Sequence, residues 1–407
     1  MKKPLLLFSM SLLMMLIITV STCYADDAVV LPKGRWRILV DTHFYLPFDE
    51  RYNRNGDAEL YAKPFNTTLG SNIGLPAGLN LGTTQVTFIR KLTEIFIQPA
   101  YGVTDKLSLG LIIPYYWFKN KVTANVDSSN ANFGINNVTG QPFPLIPGVS
   151  HRATTEDIQK LLQTNFGIKR IETWQEDGIG DIIAGGRYQY FTSEDWRLAF
   201  TGGVRFPTGH VDDPNNLVDT ATGKGDYGLL FQFQNDYMRQ SPGLAKTLGF
   251  PNPGEWFINT SLKYEWNLPD KQTMRVCHTD NPFCPTLDDV RRKVGDVVEA
   301  ELSPKIGFLV QGLNFSPMYK YGHKFKDHYS GDKPLDYGSI SDDMDNNRTD
   351  YTEHIYFLTL TYTTIPLFVE QRFSFPLAIS LTYRNRFAGS GGVAKSEYIG
   401  FAIQAFF

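Results

Sequence analysis

The chain has no apolar run after residue 25 that is long enough for a membrane-spanning helix, which needs about 20 residues. It also has no basic block, because 39 Lys and Arg face 42 Asp and Glu in 407 residues, a net charge of −3. A mildly acidic chain of this kind is a poor nucleic-acid-binding protein. These two features exclude a helical membrane protein and argue against a nucleic-acid partner.

The beginning of the sequence is typical of an export signal. Lys2 and Lys3 precede an apolar run over Leu5–Val20, and Cys23 and Ala25 occupy the −3 and −1 positions of a small-residue cleavage site. We therefore expect residues 1–25 to be a cleaved signal peptide and 26–407 to form one domain. A lipoprotein with a lipidated Cys23 is the alternative. With cleavage after Ala25, about nine residues would precede the first predicted strand, too few for a plug domain.

What the chain does contain is an unusual amount of aromatic side chain in a polar sequence. Aromatic residues make up 14% of the chain, yet its mean hydropathy is −0.24. A membrane barrel needs this combination, because its outer face is apolar, its lumen is polar and aromatic residues line both interfaces.

Strict alternation of apolar and polar residues marks strands whose two faces meet different environments. Residues 196–206 and 256–268 alternate in this way, with aromatic residues at both ends of the apolar face and aliphatic residues between them. A layer of lipid between two interfaces has the same profile.

The pattern predicts an all-β protein, a closed antiparallel up-and-down transmembrane β-barrel of about 12 strands. Short and long connections alternate, as expected for short periplasmic turns and long outer loops. A further hairpin within 121–175 would raise the number to 14. The strands are predicted near 35–47, 84–102, 106–118, 178–191, 196–208, 225–239, 255–268, 295–310, 313–326, 351–363, 367–387 and 394–407.

The last strand ends in an aromatic residue. Phe401, Ile403 and Phe407 alternate on one face at the C-terminus, which resembles the signal that the barrel assembly machinery reads. Together with the export signal, this pattern indicates the outer membrane of a Gram-negative bacterium.

Charged residues on the non-apolar phase of the strands are the predicted lining of the lumen. They could form a filter for small solutes or pair with each other and stiffen the barrel. The set comprises Arg187, Arg197, Arg205, Lys263, Glu265, Glu299, Glu301, Lys305, Lys320, Glu370, Arg372, Arg384 and Arg386.

Several motifs have a structural interpretation that is simpler than a functional one. Gly223–Gly228 fits a dinucleotide motif, but a strand follows it instead of a helix, so we interpret its glycines as close packing or a bend at the rim. Cys277 and Cys284 predict a loop disulfide in preference to a metal site with His278. Acidic residues in 342–350 could bind calcium, although a solvated loop is the commoner outcome. No resident metal is expected.

Residues 155–164 predict a short helix in an outer loop. Thr154 and Asp157 resemble a capping box, and Ile158, Leu161 and Leu162 form an apolar stripe. We hypothesise that this segment folds over the barrel mouth and gates it.

Four segments resemble the family known as "putative MetA-pathway of phenol degradation", a group of transport-type outer-membrane barrels. They are YGVTDKLSLGLIIPY at 101–115, GIGDIIAGGRYQY at 178–190, TGGVRFPTGH at 201–210 and GKGDYG at 223–228. The resemblance implies a barrel in the outer membrane, and the family name implies the handling of aromatic compounds.

The sequence as a whole is best interpreted as a passive outer-membrane channel or uptake barrel for small molecules, with hydrophobic or aromatic compounds among its solutes. No cofactor and no enzymatic activity are expected. The expected partners are outer-membrane lipid and lipopolysaccharide, the assembly machinery and a small-molecule solute. Two alternatives remain: a closed structural or surface-binding barrel, and a membrane-embedded hydrolase in which His354 would lie near Ser or Asn on the lipid face.

Overall fold

The computed structural model describes residues 27–148, 151–240, 255–276, 283, 285–307, 310–341 and 349–407. The chain folds into a closed antiparallel barrel of 12 strands. The strands are β1 (Trp36–Tyr45), β2 (Thr83–Thr104), β3 (Leu107–Asp127), β4 (Trp174–Ile179 and Ile182–Thr192), β5 (Trp196–Phe206), β6 (Gly228–Gln240), β7 (Glu255–Asn267), β8 (Val297–Gly307), β9 (Leu313–Lys324), β10 (Tyr351–Thr363), β11 (Leu377–Ser390) and β12 (Glu397–Phe406).

The first strand closes the barrel. Leu39 of β1 lies opposite Gln98 of β2 on one side and Gln404 of β12 on the other. Closure leaves no unpaired strand edge in lipid, where an unsatisfied backbone group would cost several kcal/mol. The prediction of a closed barrel with 12 strands is confirmed. The small hairpin Phe133–Ile135 with Pro142–Pro144 forms its own sheet in an outer loop, so the alternative of 14 strands is wrong.

Strand β4 is interrupted once, at Gly180 and Asp181. On the neighbouring strand β3, Pro114 faces this break and has no N–H to donate. Its carbonyl oxygen accepts a hydrogen bond from Gly180 N at 2.9 Å, which keeps the two halves of β4 attached to β3. Asp181 thereby turns into the barrel, where it is buried.

Aromatic side chains mark two levels on the outward face. Trp36 packs on Tyr101 at 4.8 Å between ring centroids near the periplasmic end, and Tyr115 packs on Trp117 at 4.6 Å near the outer end. These pairs have the position of the two interfacial girdles of a membrane barrel. Among the described residues, no helix is long and apolar enough to cross a membrane.

The outer loops fold together into a cap with its own apolar core. Helix α1 (Thr155–Phe166) begins at the capping box of Thr154 and Asp157 and buries Ile158, Leu161 and Leu162, as predicted. These side chains join an apolar cluster that also contains Phe88 of β2 and Phe283. The loops further contain the strands Glu50–Tyr52, Ala58–Leu60, Asp270–Arg275, Leu287–Lys293 and His328–Ser330, with 3₁₀ turns at Lys63–Phe65, Ser71–Ile73 and Tyr337–Ser341.

The segment before β11 differs from the prediction of one strand over 367–387. A short helix α2 (Ile365–Val369) and an irregular turn occupy 365–376, and the strand begins at Leu377. Proline at the start of α2 favours the first helical turn, and Pro376 precedes the strand. Alternation alone could not separate this periplasmic connection from the strand.

Candidate functional site

The inner surface of the barrel has two different walls. On β2 and β3 the inward side chains are largely apolar and aromatic, and Phe96 contacts Tyr116 at 6.3 Å and Tyr116 contacts Phe118 at 5.7 Å between ring centroids. Strand order places β8 opposite β2, six positions away around the closed ring. The lumen therefore has an aromatic wall on one side and the strands β7–β9 on the other.

The wall formed by β7–β9 is charged and internally paired. Glu299 accepts from Lys263 at 3.0 Å and from Lys320 at 2.6 Å, and Glu301 accepts from Ser261 at 3.1 Å. Glu301 and Lys320 lie directly opposite each other on neighbouring strands, where opposite charges stabilise a sheet. Most charged side chains in this wall thus have a partner of opposite charge within it, so the wall does not present one sign of charge to the lumen.

At the outer rim, Arg205 holds three carboxylates. Its guanidinium lies 2.9 Å from Asp181, 3.1 Å from Asp226 and 2.8 Å from Glu265, and it also donates to Asn267 at 2.8 Å. The Arg205 side chain is 5% exposed, so these charges have little access to water and depend on each other. The cluster joins β4, β5 and β7 to the loop that precedes β6.

A second buried cluster surrounds a histidine that sequence reasoning missed. Asp41 Oδ2 lies 2.9 Å from His43 Nε2, and Glu94 Oε2 lies 3.2 Å from His43 Nδ1. The imidazole also stacks on Tyr398 at 4.1 Å between ring centroids. Asp41 and His43 are two residues apart on β1, which places them on one face, and the inward phase of this strand was the available signal.

The segment before β1 enters the periplasmic end of the barrel. Ala28 N donates to Asp236 Oδ2 at 3.0 Å, and Gln189 Nε2 donates to Ala28 O at 2.8 Å. Ala28 is fully buried, and Leu31 N donates to Ser108 Oγ at 2.7 Å. Residues 27–35 therefore enter the barrel, which was not expected from the sequence.

A glycine on β2 makes room for this segment. A side chain at Gly102 would bring its Cβ within 2.1 Å of Pro32 O and 2.6 Å of Leu31 O. Both are backbone atoms, so neither can rotate away. Gly102 O also accepts from Gly34 N at 2.8 Å, which fixes the point where the segment enters.

The other predicted lining residues lie on barrel strands, with contacts inside the lumen. Arg187 lies 3.4 Å from Asp27, Lys305 lies over the Phe257 ring, Arg384 donates to Ser396 at 2.8 Å and Arg386 lies 2.8 Å from Glu353. Arg197 lies opposite Asp236 in the register of β5 and β6.

Two predicted lining residues lie elsewhere. Glu370 and Arg372 are in the turn after α2, with side chains 45% and 66% exposed, and pair with each other at 3.0 Å. The prediction that they face the lumen is wrong, because 367–376 is not a strand. Cys277, Cys284 and the acidic residues 342–348 lie outside the described residues.

The C-terminal aromatic residues lie where the alternation placed them. Phe401 and Ile403 face outward, 42% and 43% exposed, and Phe407 N donates to Trp36 O at 3.0 Å. Their role as an assembly signal stays a prediction.

Two further motifs have structural contacts. At Gly223 a Cβ would lie 2.3 Å from Asp181 Oδ1 and 2.8 Å from Gly209 Cα, so this glycine allows close packing at the rim as predicted. His354 faces outward, where its Nδ1 lies 2.7 Å from the Tyr319 hydroxyl.

One outer-loop carboxyl has a displaced pKa. Burial raises the pKa of Asp219 to about 6, although a hydrogen bond from Asp213 N opposes the shift. The nearby carboxylates of Asp212 and Asp213 also raise it, and His210 lowers it. This loop contributes Val218 to the cap, where Val218 O accepts from the buried Asn120 at 2.7 Å.

Comparison with known proteins identifies the fold. No protein-family model matches the chain, and no curated protein matches its sequence. The COG4313 outer membrane channel from Pseudomonas putida F1 is similar in structure, with a TM-score of 0.51 at 11% identity over 95% of this chain and 100% of that chain. The chain thus has the fold of an outer-membrane β-barrel channel.

Two other solved structures are similar to the chain at lower TM-scores. They are a FadL homologue from Pseudomonas aeruginosa (TM-score 0.33, 11% identity, 92% of this chain and 90% of that chain) and a TodX mutant described as a monoaromatic hydrocarbon channel (TM-score 0.32, 8% identity, 94% and 92%).

Proposed function

We propose that this protein is a passive outer-membrane channel for small hydrophobic or aromatic molecules. The observation that carries the proposal is the two-sided lumen, in which Phe96, Tyr116 and Phe118 face a wall of mutually paired charges. Aromatic rings gain from offset or edge contacts with an aromatic wall. The wall formed by β7–β9 can form hydrogen bonds with the polar end of a solute. Because its charges pair with each other, it does not attract cations or anions selectively.

The proposal includes the route by which the protein reaches the membrane. Residues 1–25 act as a cleaved export signal, residues 26–407 form one barrel domain, and the assembly machinery reads the C-terminal strand. The sequence resemblance to the MetA-pathway family supports an aromatic solute. The protein carries out no covalent chemistry and needs no cofactor.

The test is the conductance of refolded full-length protein in a planar lipid bilayer, with phenol as the aromatic solute. We expect small stable current steps that phenol blocks in a concentration-dependent way. Phe96→Ala should weaken the block, because it removes an inward ring. Ile97→Ala is the matched control, since Ile97 is the next residue on β2 and faces outward, 43% exposed.

Two outcomes would overturn the proposal. Equal block of Phe96→Ala and Ile97→Ala would show that the aromatic wall does not meet the solute. Silence in the bilayer from protein shown to be folded would favour a closed barrel whose loops bind at the surface.

A further inference from the structure

An outward surface at the outer end of β2 and β3 carries a group of lysines. Lys91 of β2 lies directly opposite Lys119 of β3, and one step further from the membrane Lys121 lies opposite Ile89. The three lysines are exposed, whereas their neighbours on the inward phase, Phe118, Asn120 and Val122, are buried. We call this surface, made of Lys91, Lys119 and Lys121, the lysine face.

The lysine face has no anionic partner within the part of the chain that the structure describes. None of its ammonium groups forms an ion pair or hydrogen bond with a described residue. Like charges directly opposite each other on a sheet are destabilising. An anion placed between Lys91 and Lys119 would remove that repulsion.

The position of the lysine face relative to the membrane limits the kind of anion. Thr93 and Trp117 are the next outward pair toward the membrane, and Trp117 belongs to the outer aromatic girdle. One two-residue step along a strand is about 7 Å. The lysines therefore lie at the level of lipid headgroups, beside a surface that contacts acyl chains.

A groove joins the lysines to this apolar surface. It has a volume of about 490 Å³, and its outward lining includes Phe44, Lys91, Trp117, Lys119 and Asp177. Asp177 lies opposite Trp117, one step below Lys119, and its carboxylate accepts from the Tyr115 hydroxyl. Glu176 also lines the groove, but it lies opposite the inward-facing Phe118.

Other strands present the opposite charge at this level. Asp296 accepts from the Tyr264 hydroxyl at 2.6 Å, and Glu397 accepts from the Tyr383 hydroxyl at 2.7 Å. The cationic character is thus a local property of β2 and β3 and does not extend to these parts of the outer rim.

We propose that the lysine face binds the phosphates of lipid A in the outer leaflet, with an acyl chain lying in the groove against Phe44 and Trp117. Lipid A combines a phosphorylated headgroup with acyl chains, which matches the lysines above and the aromatic residues below. The proposal is independent of the proposed transport function, because every residue in it faces away from the lumen.

The test is a titration of detergent-solubilised full-length protein with bisphosphorylated lipid A, followed by native mass spectrometry. The triple variant Lys91→Gln, Lys119→Gln, Lys121→Gln should bind on the order of 100-fold more weakly, because each lysine near an anionic membrane surface contributes about fivefold. Replacing the same lysines by Arg should retain binding.

The matched control removes three positive charges from surface positions outside the lysine face. Lys33, Lys106 and Lys160 are exposed residues away from the lysine face, and their replacement by Gln should leave the affinity for lipid A unchanged. Retained heat-modifiable migration in gels shows that each variant is folded.

Titrations with other ligands test which lipid the site prefers. We expect weaker binding of dephosphorylated lipid A and of phosphatidylglycerol, and no displacement by millimolar inorganic phosphate. Equal affinity of the wild-type protein and the Gln triple variant for lipid A would overturn the site. Equal affinity for phosphatidylglycerol, with the same dependence on the lysines, would overturn the assignment to lipid A.

Discussion

The Arg205 guanidinium donates from Nε to Glu265 Oε1 at 2.8 Å inside the barrel, and Lys224 reaches the same carboxylate oxygen at 2.7 Å. This contact links β5, β7 and the loop before β6. The three buried carboxylates share this guanidinium, and Glu265 has Lys224 as a second cationic partner, so Arg205 is the main source of compensation for their charges.

Replacing Arg205 by Met should therefore destabilise the barrel strongly. Asp181, Asp226 and Glu265 would each lose a buried partner, and breaking a buried pair costs about 3–5 kcal/mol. Urea unfolding in lipid vesicles, followed by tryptophan fluorescence, measures the loss. Arg372→Met is the control, because the Arg372 side chain is exposed, and it should unfold like the wild type. Equal stability of the two variants would contradict the role of the cluster.

The His43 cluster gives a second stability prediction. His43→Leu should lower the free energy of unfolding by about 3 kcal/mol, since the carboxylates of Asp41 and Glu94 would both lose the imidazole, although Glu94 would keep the Tyr45 hydroxyl as a donor. Adding Asp41→Asn to this variant should recover part of the loss. His354→Leu serves as control, because His354 faces outward and its bond to Tyr319 is exposed. No recovery in the double variant would argue against charge as the cause.

The sequence predicted the strands, their faces and the number of strands because lipid and lumen impose a period of two. Alternation alone could not distinguish 367–376 from a strand, since a short turn can hold alternation by chance. It placed Arg205 on the inward phase but could not find its partners. Asp181 turns inward at a strand break that depends on Pro114 of another strand, and such a contact leaves no periodic signal.

The length of the segment before β1 does not predict that this segment enters the barrel. Its course depends on Gly102, Ser108, Gln189 and Asp236, which are contributed by four different strands. The helix α1, by contrast, was predictable in detail, because its capping box and apolar stripe are local features.

The loop that contains Asp219 should be more stable at lower pH. A carboxyl whose pKa is raised to about 6 in the fold, from 3.8, binds a proton more tightly when folded. Its favourable contribution is complete below pH 3.8 and is lost as the pH rises through about 6. Asp219→Asn should therefore slow hydrogen exchange in residues 210–225 at pH 8. The free energy of local opening should rise by about 1 kcal/mol, a value discounted from the full pKa shift because Asp219 is partly exposed.

The same comparison at lower pH supplies the control for Asp219. At pH 4 both proteins carry a neutral side chain at this position, so their exchange rates in 210–225 should agree. A difference between wild type and Asp219→Asn that is the same at pH 4 and pH 8 would show that the effect is not titration of Asp219.

The cap over the outer end should depend on the buried face of α1. Leu162 is 2% exposed, so Leu162→Asp would place a charge in the apolar cluster and loosen the cap. We expect larger bilayer conductance from this variant. Lys160→Asp changes an exposed position of the same helix and should conduct like the wild type. Unchanged conductance of Leu162→Asp in folded protein would contradict a gating role for α1.

The segment before β1 should restrict the periplasmic end of the lumen in a way that one residue controls. Gly102→Ala would bring a Cβ within 2.1 Å of Pro32 O, and two backbone elements cannot share that space. Since the barrel strand is held by its ladder, the segment is the part that moves out. We expect increased conductance, and faster maleimide labelling of a cysteine placed at Val29. Gly110→Ala is the matched control, because its Cβ would lie 3.3 Å from Pro99 O, a much smaller conflict. Faster labelling without a change in conductance would mean that the segment leaves but does not limit the current, and the restriction would then have to lie nearer the Arg205 cluster or the cap.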